Sequence, residues 1–336
     1  MEWHHIRVYY YARDKDALIL EAVRPLFQRL AGEVAATSFT RHWLRGPHLR
    51  LAVRTGTGTF DRLVRPTTER IVGGYLARRP STTPVEPRRD LPMHERLAVL
   101  EGEPGPVWPW YPDNSLRFPT TAAAAPPGDP AAGEVLADFL ADTTDLAFRM
   151  IGAARGAGRL ALAYHLLIAT GCAVPGLDLA RAFIAFRSHA ETFLSGFPEG
   201  AELRTAWERH YRDNAAALVR RIGTPGAHPF DREWRAVLLR YQDRAEALAP
   251  ALPTVAPVAA GDGWEVSPFH QRLFASSHWQ QTQRSAEFLR YRLVLNLAYL
   301  SLTRIGIGPV ERFLLCYLAS RAVEDRYGVS AYDLVG

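Results

Sequence analysis

The chain is nearly without lysine and cysteine, and it has no apolar run long enough to cross a bilayer. Of its 40 basic residues only Lys15 is a lysine, so a lysine-bound cofactor would have to use that one amine and is not expected. Its two cysteines, Cys172 and Cys316, are far apart and show no Cys-x-x-Cys or Cys/His ligand spacing. That excludes a disulfide scaffold and speaks against zinc. The N-terminus, Met1-Glu2-Trp3-His4-His5, lacks the charged-then-apolar layout of a signal peptide. The expectation is a cytoplasmic protein that contacts no membrane.

Cofactor and hydrolase signatures are missing as well. Gly152-Ala-Ala-Arg-Gly-Ala-Gly158 follows no strand-like run and lacks the order of a dinucleotide fingerprint. No P-loop, G-x-S-x-G elbow or H-E-x-x-H occurs. Dinucleotide and P-loop chemistry are therefore disfavoured, and the commonest hydrolase signatures are absent.

What is present is a well-mixed globular composition, 48% apolar and 22% charged over 336 residues, which excludes disorder and a coiled coil. The formal charge of +5 and pI near 9.3 favour an acidic partner. No nucleic-acid motif accompanies them, so no nucleic acid is expected, and an acidic peptide would satisfy the same electrostatics.

Residues 3 to 12 alternate and are rich in aromatic and β-branched types, which predicts a strand. Residues 15 to 31 have helical spacing. Ser38 to Trp43 and His48 to Val53 read as antiparallel strands joined at Arg45-Gly46-Pro47, and a helix follows from about Phe60 to Arg78. The prolines between 102 and 130 predict a long ordered loop, without helix or central strand, that carries Trp108, Trp110 and Tyr111 and loosens at Thr120 to Gly128. Helices are expected near 131–151, 159–170, 177–195, 199–222 and 230–249, and again after a Pro/Gly stretch at 250–263. The fold class is therefore α+β: a small N-terminal antiparallel sheet with packed helices (1–101), the proline-rich loop (102–130) and a helical region (131–336), expected together to form one compact unit.

Three segments stand out: Arg41-His-Trp-Leu-Arg-Gly-Pro-His-Leu-Arg50, Phe186-Arg-Ser-His-Ala-Glu191, and Ser267-Pro-Phe-His-Gln-Arg-Leu-Phe274 followed by Ser285-Ala-Glu-Phe-Leu-Arg-Tyr291. Together they resemble the elimination half of lantibiotic dehydratases and its relatives in thiopeptide biosynthesis. A strand pair ending like R-Y-x-x-x-G-P-H-L-R-L-R is matched at Arg41 to Leu51, and the end of H-x-x-x-N-R-L-F at Gln271 to Phe274, with glutamine for asparagine. An extra polar run, Ala275 to Gln283, follows. A chain of this length, without a glutamylation domain, looks most like the pyridine synthases that close thiopeptide macrocycles.

That resemblance implies a formal aza-[4+2] cycloaddition between two dehydroalanines of a thiazole-bearing precursor peptide, with loss of water and of the leader peptide and with no metal or organic cofactor. One amide must become its iminol tautomer and a hydroxyl must later leave, so the site needs proton-moving and hydrogen-bonding groups and rigid placement of two alkenes. It implies Tyr291 as proton donor and acceptor, with Ser285 and Gln271 bonded to the reacting amide. The plainer readings are a core tyrosine for Tyr291, a helix cap for Ser285 and a helix cross-link for Gln271.

His189 is a further candidate, against the simpler reading of a satisfied core histidine. Glu191 is expected to pair with Arg187, and Arg41 and Arg54 to form structural ion pairs. Arg50, Trp108 and Trp279 are candidate substrate contacts, the tryptophans by stacking on thiazoles. Two other functions compete: a split dehydratase subunit that eliminates glutamate from glutamylated Ser/Thr using Arg50 and His189, and a non-catalytic module that binds the precursor peptide. Ring size, leader site and oligomeric state are not set by the sequence.

Overall fold

The structure, a computed structural model, describes residues 1–101, 105–119, 130–154, 156–224, 226–248 and 266–335. The stretch expected to loosen at 120–128 and the Pro/Gly stretch at 250–263 lie outside these residues. Among the described residues the chain is mainly helical with one four-stranded antiparallel sheet, the α+β architecture read from the sequence. It divides into two compact units, Met1–Ala153 with Thr303–Gly306, and Ala154–Leu302 with Ile307–Gly336.

The first unit is built on strands β1 (Glu2–Tyr9), β2 (Ala36–His42), β3 (His48–Thr55) and β4 (Ser115–Arg117), in the order β2-β3-β1-β4. Alternation sends Ile6 and Val8, Leu49, Leu51 and Val53, and Phe39 to one face, where all are fully buried. Burial is worth about 1.5–3 kcal/mol for each such side chain.

Helix α1 runs through Asp16–Leu18, a π-helical turn Ile19–Val23 and Arg24–Leu30. Helix α2 runs from Thr57–Thr59 to Gly74–Arg78, with π-helical turns at Phe60–Val64 and Glu69–Gly73. Pro25 and Pro66 each follow a π turn closely; a proline lacks the N–H of the regular ladder and crowds the preceding turn, which the wider π turn accommodates. Phe148 stacks on Phe39 of β2 at 5.1 Å and meets Phe27 of α1 at 6.1 Å. His4 of β1 stacks on Phe60 of α2 at 4.4 Å.

The β2–β3 turn needs its glycine. Gly46 has φ +108°, and a Cβ there would lie 2.8 Å from the Tyr11 hydroxyl. Arg41 pairs with buried Asp16 at 2.6 Å and Arg54 with Asp138 at 3.8 Å, the structural ion pairs expected of them.

Three departures from the sequence reading follow from packing. Ser115–Arg117 in the proline-rich segment forms β4 on the outer side of β1; an edge position is where neighbouring prolines are tolerated. The helix expected over 131–151 is two, α4 (Pro130–Asp142) and α5 (Thr144–Ala153), after α3 (Pro87–Glu101). Both α4 and α5 pack against β2, so the first unit extends to Ala153 rather than ending near 101.

The second unit contains α6 (Ala157–Gly171), α7 (Leu179–Gly196), α8 (Gly200–Ile222), α9 (Asp231–Gln242), α10 (Pro268–Ala275), α11 (Ser277–Thr282), α12 (Ala286–Arg304, its last two residues counted with the first unit) and α13 (Pro309–Tyr327). Helix α7 carries buried Phe183, Phe186 and Phe193 at helical spacing, and Phe193 stacks on Phe313 of α13 at 4.5 Å. Helix α13 begins with Pro309 behind a Glu311 carboxylate that accepts the Gly308 N–H at 2.8 Å, and ends at Gly328 with φ +65°.

Candidate functional site

In the second unit, polar side chains from α7, α10, α12 and α13 interrupt an otherwise apolar interior. Ser267 caps α10, accepting the backbone N–H of His270 at 3.2 Å, and Pro268 fits the first helical position. The cap aims the His270 ring between two hydroxyls, Ser267 Oγ at 2.7 Å from Nδ1 and Ser188 Oγ at 2.9 Å from Nε2. Thr192 Oγ1 lies 3.4 Å from Nε2, and its own proton goes to the Ser188 carbonyl at 3.0 Å.

These bonds have a direction. Because Thr192 spends its proton on a carbonyl, its oxygen can only accept, which places the imidazole proton on Nε2. Nδ1 then accepts from Ser267, Nε2 donates to Ser188, and the Ser188 hydroxyl proton is left to point onward. Burial lowers the pKa of His270, against the Glu191 charge that raises it, so the ring stays neutral and the chain intact.

His189, next along α7, is half-buried and meets the Tyr299 ring edge-on at 4.9 Å. Burial first, and then the charges of Arg312, His270 and Arg292, push its pKa down to about 3. It is a neutral imidazole at physiological pH. The Tyr299 hydroxyl lies 3.3 Å from Cys316 Sγ, and Arg312 sits over its ring at 5.4 Å.

The other sequence candidates are placed as follows. Tyr291 is 1% exposed and its hydroxyl donates to the Ala182 carbonyl at 3.0 Å; burial raises its pKa well above the ordinary 10. Ser285 accepts the Phe288 N–H at 3.2 Å directly before α12, so the helix begins between Ser285 and Tyr291. Gln271 is exposed and donates to the Val266 carbonyl at 3.1 Å. Trp279 is buried edge-on against Phe288 at 5.0 Å. In the first unit, Arg50 lies on β3 opposite Arg7 and Thr40, and Trp108 is 47% exposed in the loop before β4.

Behind the histidines sits a buried ion cluster. Glu191 is gripped by both terminal nitrogens of Arg204, at 2.8 and 2.6 Å, and by Arg187 Nε at 2.9 Å, the expected partner. Burial pulls its carboxyl pKa up, but the Arg204 hydrogen bonds and the two arginine charges outweigh that and hold it below the ordinary value. Glu324 joins through Arg321 at 2.8 Å and Arg187 at 3.7 Å. Among the described residues no three His, Cys, Asp or Glu side chains gather as metal ligands would.

The family model for lantibiotic biosynthesis dehydratase C-term matches residues 3–323. The chain belongs to this family. Among solved structures, the pyridine synthase TbtD from thiomuracin biosynthesis is 37% identical over 98% of this chain and 100% of that one, with a TM-score of 0.77. TsrL shares the fold at 20% identity, covering 99% of this chain and 97% of its own, with a TM-score of 0.71. No curated protein matches the chain.

In this dehydratase C-terminal family member, the glycine–proline–histidine motif forms the β2–β3 turn and the start of β3, and the Gln271–Phe274 motif lies in the second half of α10. Sequence reasoning missed Ser188, His270, Thr192 and Tyr299. The Ser267-Pro-Phe-His spacing, a cap followed by its N3 residue, was the one local signal for His270. The contacts of His270 with Ser188 and Thr192 join residues 82 and 78 positions apart, which no local pattern encodes. Among the described residues, no helix is long and apolar enough to cross a membrane.

Proposed function

We propose that the chain is a pyridine synthase that joins two dehydroalanines of a thiazole-containing precursor peptide by a formal aza-[4+2] cycloaddition, then releases water and the leader peptide. One observation carries this reading: the 37% identity to the pyridine synthase TbtD, spread over 98% of this chain and all of that one. Family membership alone would equally suit a glutamate-eliminating enzyme.

The polar cluster of the second unit suits the chemistry. The amide that becomes the 2-azadiene needs a donor at its oxygen and an acceptor for its N–H as it passes to the iminol. The Ser188 hydroxyl, directed by His270, is such a donor. His189, kept neutral, offers one ring N–H and one ring nitrogen lone pair that hydrogen-bond the reacting amide without adding charge. Tyr291 takes part by exchanging the Ala182 carbonyl for a substrate carbonyl, with Ser285 and Gln271 near the start of its helix and of α10. Arg50, Trp108 and Trp279 contribute to holding the peptide. No cofactor is required, because the reaction moves protons and forms carbon–carbon bonds without net redox change.

The test presents the purified protein with two peptides, one bearing two dehydroalanines and thiazoles, the other a glutamylated serine. Pyridine formation from the first without glutamate release from the second supports the reading. Free glutamate from the second, with the first unchanged, identifies a split dehydratase subunit instead, and binding of either without a mass change identifies a presenting module.

A further inference from the structure

The segment that follows α13 takes no part in the chemistry above, yet it is fastened to the helix that carries Ser188. Gly328, at φ +65°, turns the chain back at the end of α13. Ser330 then caps the helical turn Ala331–Leu334 by accepting the Tyr332 N–H at 3.2 Å, and the Glu324 carboxylate accepts the Ala331 N–H at 3.0 Å. That carboxylate also meets Arg321 at 2.8 Å and Arg187 of α7 at 3.7 Å. Ala331 and Val335 are buried, and the turn packs on α7.

Half-buried Tyr332 is what this segment brings to the polar cluster. Its ring lies 5.5 Å from the Arg187 guanidinium of α7 and 5.4 Å from the Arg272 guanidinium of α10, and it meets Phe269 of α10 edge-on at 5.7 Å. All three contacts are made by the ring. Arg187 directly precedes Ser188, and Phe269 directly precedes His270. One side chain therefore holds the chain neighbours of both partners in the 2.9 Å contact between Ser188 Oγ and His270 Nε2. Helix α10 is eight residues long, too short to be fixed by its own ladder, so its place against α7 is set by what packs on it. Phe269 and Leu273 are its buried anchors, and Tyr332 packs on the first of them. A hydrogen bond weakens steeply once donor and acceptor part by a few tenths of an ångström, so a small slide of α10 would release Ser188 from His270.

We infer that Tyr332 is a positioning residue for the proposed reaction: its ring clamps α10 to α7 and so keeps the His270 imidazole within hydrogen-bond reach of the Ser188 hydroxyl. It acts through His270 rather than on the peptide. The inference rests on the pyridine-synthase reading only for what the directed Ser188 hydroxyl does; the clamp itself belongs to the folded chain.

Two measurements on the full chain test it. In protein labelled with 15N-histidine, the Nε2–H resonance of His270, assigned by its absence in His270→Gln, reports the Ser188 bond without any turnover. It is expected in wild type and in Tyr332→Phe, and is expected to be lost to solvent exchange in Tyr332→Leu. With a bis-dehydroalanine thiazolyl peptide, Tyr332→Leu is expected to lower kcat about tenfold or more with KM little changed, whereas Tyr332→Phe, which keeps the ring, turns over like wild type. Arg272→Gln, at an exposed position of α10, gives a smaller loss of both signals and serves if Tyr332→Leu does not fold. The inference is overturned if Tyr332→Leu keeps the resonance, if it loses the resonance yet turns over like wild type, or if Phe and Leu lower kcat equally. A protein that makes no pyridine, but whose resonance is lost in Tyr332→Leu and kept in Tyr332→Phe, refutes the reaction and supports the clamp. One that makes pyridine with the resonance unmoved by Tyr332→Leu refutes the clamp alone.

Discussion

The hydroxyl of Tyr291 donates to the backbone carbonyl of Ala182 at 3.0 Å, tying α12 to α7 within the interior of the second unit. The bond fixes the helix that starts at Ser285 against the helix that carries Ser188, His189 and Thr192. A phenol so placed ties two helices together, and the proposed reaction gives it a second, separable role in proton transfer.

Tyr291→Phe separates them. Loss of one buried hydrogen bond is expected to cost about 0.5–1.5 kcal/mol in urea unfolding, while the Ala182 carbonyl keeps its bond within the helix. Pyridine formation is expected to stop while peptide affinity is kept. Unchanged turnover with the same stability loss would restrict Tyr291 to the packing role.

The strands, the turn and most helices were legible because each rests on local pattern: alternation in Glu2–Tyr9, the glycine at positive φ in the turn, and the 3.6-residue stripe of Leu179–Gly196. Strand β4 was not, since three residues among prolines carry no periodic signal and pair only because β1 offers a free edge. The capping role of Ser285 could be read from Ser-Ala-Glu-Phe. The ring of hydroxyls around His270 could not, because it depends on how α7 and α10 pack, and packing phase leaves no mark on either segment alone.

The direction assigned to the Ser267–His270–Ser188 chain makes a chemical prediction. In His270→Gln the side-chain amide can still donate where Nε2 does, so pyridine formation is expected to be largely kept. In His270→Asn the amide is too short to reach Ser188, and kcat is expected to fall with KM little changed. Equal loss in both variants would show that His270 serves packing alone. Ser267→Ala is expected to cost about 1 kcal/mol through the lost cap, and also to lower kcat.

The depressed histidines set a pH dependence of stability. His189 resists protonation until about pH 3, whereas in the unfolded chain it protonates near the ordinary 6.5. Between these values the unfolded state binds more protons, so stability is full above about pH 6.5 and is lost progressively as pH falls toward 3. His270, also lowered, adds in the same direction. A plot of Tm against pH is expected to be flatter over this window for His189→Gln than for wild type; parallel plots would contradict the assignment.

Glu191 anchors two arginines in a buried place. Glu191→Ala leaves Arg187 without its close partner in the interior and is expected to cost about 3–5 kcal/mol, read from the urea midpoint. Arg204→Ala, which removes the more exposed arginine and keeps Arg187 on the carboxylate, is expected to cost less. The reverse order would place the essential ion pair at Arg204.

The most direct measurement is high-resolution mass spectrometry, with a 15N label in the amide destined for the ring, of a bis-dehydroalanine thiazolyl peptide after incubation with the purified protein alone. The account predicts a freed leader peptide and a macrocycle lighter by that leader and one water, its label in an aromatic ring nitrogen. A peptide recovered with unchanged mass, while the protein is folded and binds it, would contradict the account.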